Sequence, residues 1–339
     1  MTVLAALGVG VLASPCGGIN ASMIKGEDIG STLVGAADKT MEVVGDYREC
    51  QKLDVDPAVA EEYALGGSLA IHFVQRGGGL LLEKPPANGK PRATRRPGEA
   101  LHDYVNTVGK NLAAQSQRPT LEWTFGVFND KSQLNALSAP GGYVLVSQQV
   151  LAKVDNEGQL AGVLSHEIAH VVLKHAIRQY NGAKVSTCEK VLFGKTVADI
   201  TGISAALRAA LGGNGTLDLD NNPELLEMLV EKTLGSLDEG NAKELELEAD
   251  QMAVQLMMSA GYDPQDYIGL LGKLQDGTDH KNHPPKKDRQ ANVQRYLSKL
   301  KTKEGEFPGL ATEGFRSPPL KESALAAVRK GTGVAKDSK

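Results

Sequence analysis

Apolar positions recur with two different periods along this chain, and the switches between them predict its elements. From Pro57 to Arg76 (PAVAEEYALGGSLAIHFVQR) the apolar residues fall three and four apart, the period of a helix with one buried face. Residues 77–98 carry GGG, PP and further prolines, which break any period and predict a loop. Helical spacing returns from Glu99 to Gln115, through Leu101, Val105, Val108 and Leu112. In LEWTFGVF the period drops to two: Leu121, Trp123, Phe125 and Val127 alternate with other residues, as in a half-buried strand. In NALSAPGGYVLVS a Pro-Gly-Gly turn then feeds a short strand, Tyr143 to Ser147. One helix is predicted from residue 156 to about 180, capped by Asn156 with Gln159 three residues on, a variant of the capping box.

Residues 189–236 predict two or three helical pieces around the loop GGNGTLDLDNNP. Lys195, Asp199 and Arg208 interrupt the apolar run there, which argues against a membrane span. AKELELEADQMAVQLMMSAGYDP reads as a helix ended by Gly261, with Pro264 just beyond. Another amphipathic helix covers 286–301, and the Gly-, Pro-, Ser- and Lys-rich remainder predicts a mobile tail. No internal repeat is visible.

Composition narrows the class. The 339 residues, 41% hydrophobic and 23% charged, suit a soluble globular chain with a sizeable core. A net charge of −4 with only 4% aromatics argues against nucleic-acid binding. At the N-terminus, Val3 to Ala13 is almost purely apolar, too short to span a bilayer but suited to the apolar region of a secretory signal, although no Lys or Arg precedes it. The competing reading is a poorly ordered apolar end. Cys16 follows in LASPCGG, a candidate for lipid attachment weakened by Pro15 before it. Cys50 and Cys188 admit either one disulfide in an oxidising compartment or two buried thiols. The expected organisation is a signal-like segment at 1–16, a polar leader at 17–54, a catalytic domain at 55–301 and a flexible tail at 302–339.

The chemistry concentrates in VLSHEIAHVVLKH, residues 163–175. Residues four apart share a helix face, so His166 and His170 point the same way, with Glu167 about a quarter-turn round. This is the His-Glu-x-x-His pattern, in which two imidazoles bind zinc and the glutamate is a general base for the bound water. On one continuous helix His175 lies opposite His166, which predicts a surface histidine or one that backs the site. Two histidines leave a catalytic zinc one protein ligand short. In Glu246-Leu247-Glu248-Ala249-Asp250, the first and last residues share a face. Glu246 is a candidate ligand, with Asp250 holding a ligand histidine by its other ring nitrogen. A solvated acidic face, with Glu244 and Glu248 on the flanks, explains the same spacing, so spacing leaves both readings open.

Four segments together resemble the zinc metallopeptidase family that includes the CAAX prenyl proteases and the bacterial HtpX and BepA-type proteases. They are NALSAPGGYVLVSQQVL, QLAGVLSHEIAHVVLKH, ELEADQMAVQLMMSAGYDP and HPPKKDR, in the family's order, and the resemblance covers roughly residues 57–300. It implies an α+β, mainly helical, zincin-type domain with a small sheet whose edge strand precedes the active helix. It makes His166, His170 and Glu246 the ligands of one zinc per chain, Glu167 the base, and Asp250 the support of a ligand. It implies that Asn135, Gly141, Gly142, Tyr143, Val144 and Val146 line an edge that pairs with an extended substrate; such an edge accepts a peptide through backbone hydrogen bonds whatever its sequence. His283 is implied to shield the metal at rest, or to stabilise the tetrahedral intermediate together with Arg289, against the alternative of a surface loop entering a helix. His72, His102 and His280 match no role and are expected to be structural or exposed.

The departures matter too. Lys243 stands where many relatives carry arginine, four membrane spans are absent, and no helical-repeat domain follows. The expectation is therefore a compact exported member, periplasmic or tethered through Cys16. Its expected activity is zinc-dependent hydrolysis of peptide bonds in extended or misfolded envelope proteins. The alternatives are a latent or non-catalytic zinc-containing assembly factor that holds clients on its edge strand, and, more weakly, a structural zinc site. A glutamate ligand beside a general base argues against the last, since structural sites are usually closed by cysteines.

Overall fold

Two alternating stretches and one turn build the sheet. In the computed structural model, which describes residues 48, 50–81, 97–130, 135–193, 223–239, 243–274, 284–304, 306 and 311–331, the strands are β1 (Thr124–Phe128), β2 (Ala136–Ala139) and β3 (Tyr143–Ser147). β1 runs parallel to β3 and β2 antiparallel to it, giving the order β1-β3-β2. The β2–β3 turn needs its glycines, because Gly141 and Gly142 take φ values of 79° and 94°, in the left-handed region. The Gly141 amide donates to the buried Glu62 carboxylate at 3.0 Å, and Arg118 pairs with the same group at 2.7 Å.

Alternation sorts the side chains onto two faces. Phe125, Val127, Val144 and Val146 join one core with helices α2 (Pro97–Ala113), α4 (Glu157–Val172), α7 (Lys243–Ser259) and α8 (Pro264–Lys273). Phe128, Ala139 and Leu145 join the other, with α1 (Val59–Arg76), α5 (His175–Phe193) and α6 (Pro223–Glu239). The remaining helices are α3 (Gln148–Lys153), capped by Ser147, α9 (Lys286–Glu304) and α10 (Glu322–Gly331). The architecture is mainly helical around a small sheet, as the family resemblance implies. None of the described helices is long and apolar enough to cross a membrane.

The structure corrects several expectations. β3 is the middle strand, so both of its hydrogen-bonding sides are used, by β1 and by β2. Tyr143, Val144 and Val146 thus have no free edge, and Gly141 and Gly142 sit in the turn. The edge strand before the active helix is β2, which begins beside Asn135. The single helix expected from 156 to 180 is two: α4 ends at Val172, Lys174 turns into the left-handed region at φ 59°, and α5 starts at His175. The expected tail is structured in part: Leu320, just before α10, and Ala324, Leu325 and Val328 on it join the main core.

At the other end the compact unit begins at Cys50, whose disulfide with Cys188 ties the end of the expected leader to α5, the Cα atoms lying 5.5 Å apart. Cys16, His280, His283 and most of 189–236 lie outside the described residues.

Candidate active site

α4 is the spine of the site. Asn156 caps it by accepting from the Gln159 amide at 2.8 Å, which satisfies an otherwise unpaired helix N–H. Of its 16 residues 14 are buried, so even the polar members of His-Glu-x-x-His sit inside the protein. One glycine is needed for close approach: a Cβ on Gly162 would lie 2.6 Å from the Tyr267 ring. Its absence lets α8 press Tyr267 against His166.

Helix geometry brings the two histidines together as the spacing predicts, with Nε2 atoms 3.0 Å apart. α7 adds Glu246, whose carboxylate oxygens lie 3.4 Å from His166 Nε2 and 3.4 Å from His170 Nε2. Glu246 is 0% exposed, which sets it apart from the solvated acidic face. Two imidazole nitrogens and a carboxylate within 4.8 Å of one another form a set of electron-pair donors. Packing such donors together in a dry interior is unfavourable without a cation between them. Two imidazoles and one carboxylate fit a divalent ion of zinc-like preference, and the donor set contains no thiolate to close it off.

Behind His166 lies a charged cluster. Its Nδ1 is 3.1 Å from Asp250 Oδ1 and 3.1 Å from the Tyr267 hydroxyl. Arg289, from α9, donates to both Asp250 oxygens, at 2.9 Å from Nε and 2.6 Å from Nη2, and to the Tyr267 hydroxyl at 2.9 Å. Burial opposes an Asp250 carboxylate, but the Arg289 charge and hydrogen bonds, with those of His166, more than offset it and hold the group well below the usual carboxylate range. Burial first, then the Asp250 charge, pushes the Tyr267 hydroxyl well above its ordinary range, so it stays a donor. For His166, burial and Arg289 both oppose the imidazolium; hydrogen bonds to Asp250 and Glu246 outweigh them and raise the pKa to about 9 in the absence of a metal.

This placement revises the reading of Arg289 as a partner of the reaction intermediate. Its guanidinium is committed to Asp250 and Tyr267 behind the ligand, and it does not line the groove.

Behind His170 the arrangement differs. His175 Nδ1 lies 2.8 Å from His170 Nδ1, and His175 Nε2 lies 3.6 Å from Glu248. His175 is 1% exposed; burial, then the Arg178 charge, lowers its pKa to about 4, so its ring is neutral. It is no surface histidine, because the break at Lys174 turns it back towards α4. The sequence reading missed Tyr267 altogether. It occupies an ordinary core position of an amphipathic helix, so nothing local marked it.

The open side faces a groove of about 670 Å³. Glu167, His170 and Glu246 line one end, and residues 135–139 run along it. Phe73, Arg76 and Lys174 lie among its other walls. Asn135 therefore sits on the groove with the edge of β2 that no described strand pairs. Lys243, exposed, pairs with Asp288 at 2.7 Å.

Comparison with known proteins agrees with this geometry. Residues 99–297 match peptidase family M48. The chain is 29% identical over 186 residues to the beta-barrel assembly-enhancing protease of Yersinia pestis, covering 55% of this chain and 35% of that protein. It is 27% identical over 188 residues to the Escherichia coli K12 protein of the same name, with the same coverage, 55% and 35%. It is also 29% identical over 208 residues to the mitochondrial metalloendopeptidase OMA1 of Schizosaccharomyces pombe, covering 59% of this chain and 54% of that one. The chain thus spans about a third of the length of the assembly-enhancing proteases it matches.

Proposed function

The chain belongs to peptidase family M48, and on that premise we propose that it is a zinc-dependent endopeptidase that cleaves extended segments of proteins. The observation that carries this reading is the convergence of His166, His170 and Glu246 at the end of a groove that Glu167 also lines. These three residues would hold the zinc. When bound, zinc supplies a Lewis acid that acidifies water and polarises a peptide carbonyl. The Glu167 carboxylate takes a proton from the attacking water, whose oxygen bonds to the carbonyl carbon, and returns it to the amide nitrogen as the C–N bond breaks. Asp250 and Arg289 keep the His166 ring in place. An extended peptide lies along β2, where backbone hydrogen bonds tolerate many sequences. Asn135 sits at the start of that edge.

Its proposed substrates are misfolded or unassembled envelope proteins; the relatives' name, beta-barrel assembly-enhancing protease, supports a link to the assembly of β-barrels and no more. The Cys50–Cys188 disulfide supports an oxidising compartment, hence an exported, periplasmic or membrane-tethered protein. The test pairs zinc content with cleavage of unfolded casein. Wild type should carry one zinc and cleave. Glu167→Gln should keep the zinc and lose at least about a hundredfold in rate, the scale of general-base loss. Glu246→Ala should lose the zinc. Cleavage by Glu167→Gln at the wild-type rate, or full zinc in Glu246→Ala, would overturn the reading.

A further inference from the structure

His175 has no part in the mechanism above, yet it is buried against a ligand. The two rings approach through their Nδ1 atoms, 2.8 Å apart, so one proton lies between them. A neutral imidazole carries one N–H, and the other nitrogen is an acceptor. Two arrangements satisfy the contact. In one, His175 donates; His170 then bears its proton on Nε2, the atom that faces His166 and Glu246, and has no lone pair to offer there. In the other, His170 donates from Nδ1 and its Nε2 lone pair faces His166 and Glu246. His175 must then carry its own proton on Nε2, which points towards Glu248 at 3.6 Å.

We propose that His175 is a positioning residue that selects the ligating tautomer of His170: it accepts the His170 Nδ1–H through its own Nδ1 and directs its Nε2–H towards Glu248. This rests on the reading of His166, His170 and Glu246 as a metal site.

The backbone supports the assignment. On an uninterrupted helix a residue five positions on is rotated by about 140° from its predecessor, so the two rings could not meet. The chain instead ends α4 and places Lys174 at φ 59°, the one non-glycine residue with positive φ among those described. For a lysine that conformation is sterically unfavourable. The turn brings the His175 ring, 1% exposed, onto His170. The chemistry of the support is also distinct. His166 has a carboxylate behind it whose charge Arg289 balances. At His170 the contact is instead ring nitrogen to ring nitrogen, with the Glu248 carboxylate one step further out.

The test uses an isosteric pair. Asn places an oxygen near the position of Nδ1, whereas Leu has the same shape and no acceptor. Full-length His175→Asn, His175→Leu, Glu246→Ala and wild type are compared for zinc affinity by chelator competition, with folding checked by circular dichroism. His175→Leu is expected to weaken zinc binding about 10- to 100-fold, and His175→Asn to recover most of it. Equal affinity of His175→Leu and wild type, or equal losses in Leu and Asn, would overturn the proposal. Retention of zinc by Glu246→Ala would instead overturn the site reading on which it rests. Should His175→Leu fail to fold, nitrogen-15 NMR of histidine in the zinc-loaded wild type decides: Nδ1–H on His170 with Nε2–H on His175 is expected, and any other pair of tautomers refutes the assignment.

Discussion

The two histidine ligands share one helix but are held by different means. His166 is backed by Asp250, Tyr267 and Arg289, which arrive on α7, α8 and α9. Nearly every hydrogen-bonding atom there has a partner, two of the groups are charged, and all are buried. His170 is backed by His175, five residues along its own chain, and then by Glu248, 50% exposed. The first support depends on three helices docking correctly; the second depends on one left-handed residue. α7 serves both sides, since Glu246 faces the donors, Asp250 faces His166 and Glu248 faces His175. The difference teaches that a ligand can be oriented by long-range charge pairing or by a short-range turn.

The comparison can be broken most forcefully at Arg289. Arg289→Leu leaves the Asp250 carboxylate buried without its guanidinium partner, and urea denaturation at pH 7 should show a loss of roughly 3–5 kcal/mol. The sign with pH follows from the depressed Asp250 pKa. The stabilisation is fully present above the ordinary aspartate value of about 4 and is lost as the pH falls through the depressed folded value. In Arg289→Leu burial instead raises the Asp250 pKa, so the wild-type advantage should be largest near neutral pH and shrink as the pH falls through that raised value and then the depressed wild-type one. A loss under about 1 kcal/mol, within the range of exposed ion pairs, would show that the charged side is no more demanding than the neutral one.

Smaller effects sharpen the other side. Lys174→Gly removes the left-handed strain, at the cost of an exposed ion pair with Asp56, and should stabilise by up to about 1 kcal/mol in thermal unfolding, with zinc affinity unchanged. Destabilisation instead would mean that the lysine side chain, not the turn, holds α5 in place. Glu248→Gln should be the mildest change, under about 0.5 kcal/mol in urea and within a few-fold in zinc affinity, because the group is half in water and 3.6 Å away. A loss as large as that of His175→Leu would make Glu248 an equal partner in the support.

Much was legible in the sequence wherever the cause was local. The i,i+4 spacing of His166 and His170 is a property of any helix. The Asn156 cap, the alternation of β1 and the glycine turn that feeds β3 are short-range patterns as well. Glu246 was legible only as one of two readings, because a buried ligand and a solvated acidic face share the same spacing. The resemblance to a family, rather than spacing, pointed to the ligand.

Sequence alone thus settles the helix that pairs two imidazoles, the strand β1 and the turn that feeds β3, because backbone periodicity and capping act over a few residues. Tertiary structure decided the rest. Strand order made β2 the edge and β3 the middle, since alternation says which faces are buried and not which neighbour pairs. Packing drew Arg289 and Tyr267 behind His166, and drew α10 into the core from a stretch whose composition resembled a tail. A single backbone angle at Lys174 turned His175 inward, deciding for the backing role between the two that helical spacing left open. Each of these depends on contacts between residues far apart in the chain, or on one dihedral that those contacts hold, and neither leaves a period in the sequence.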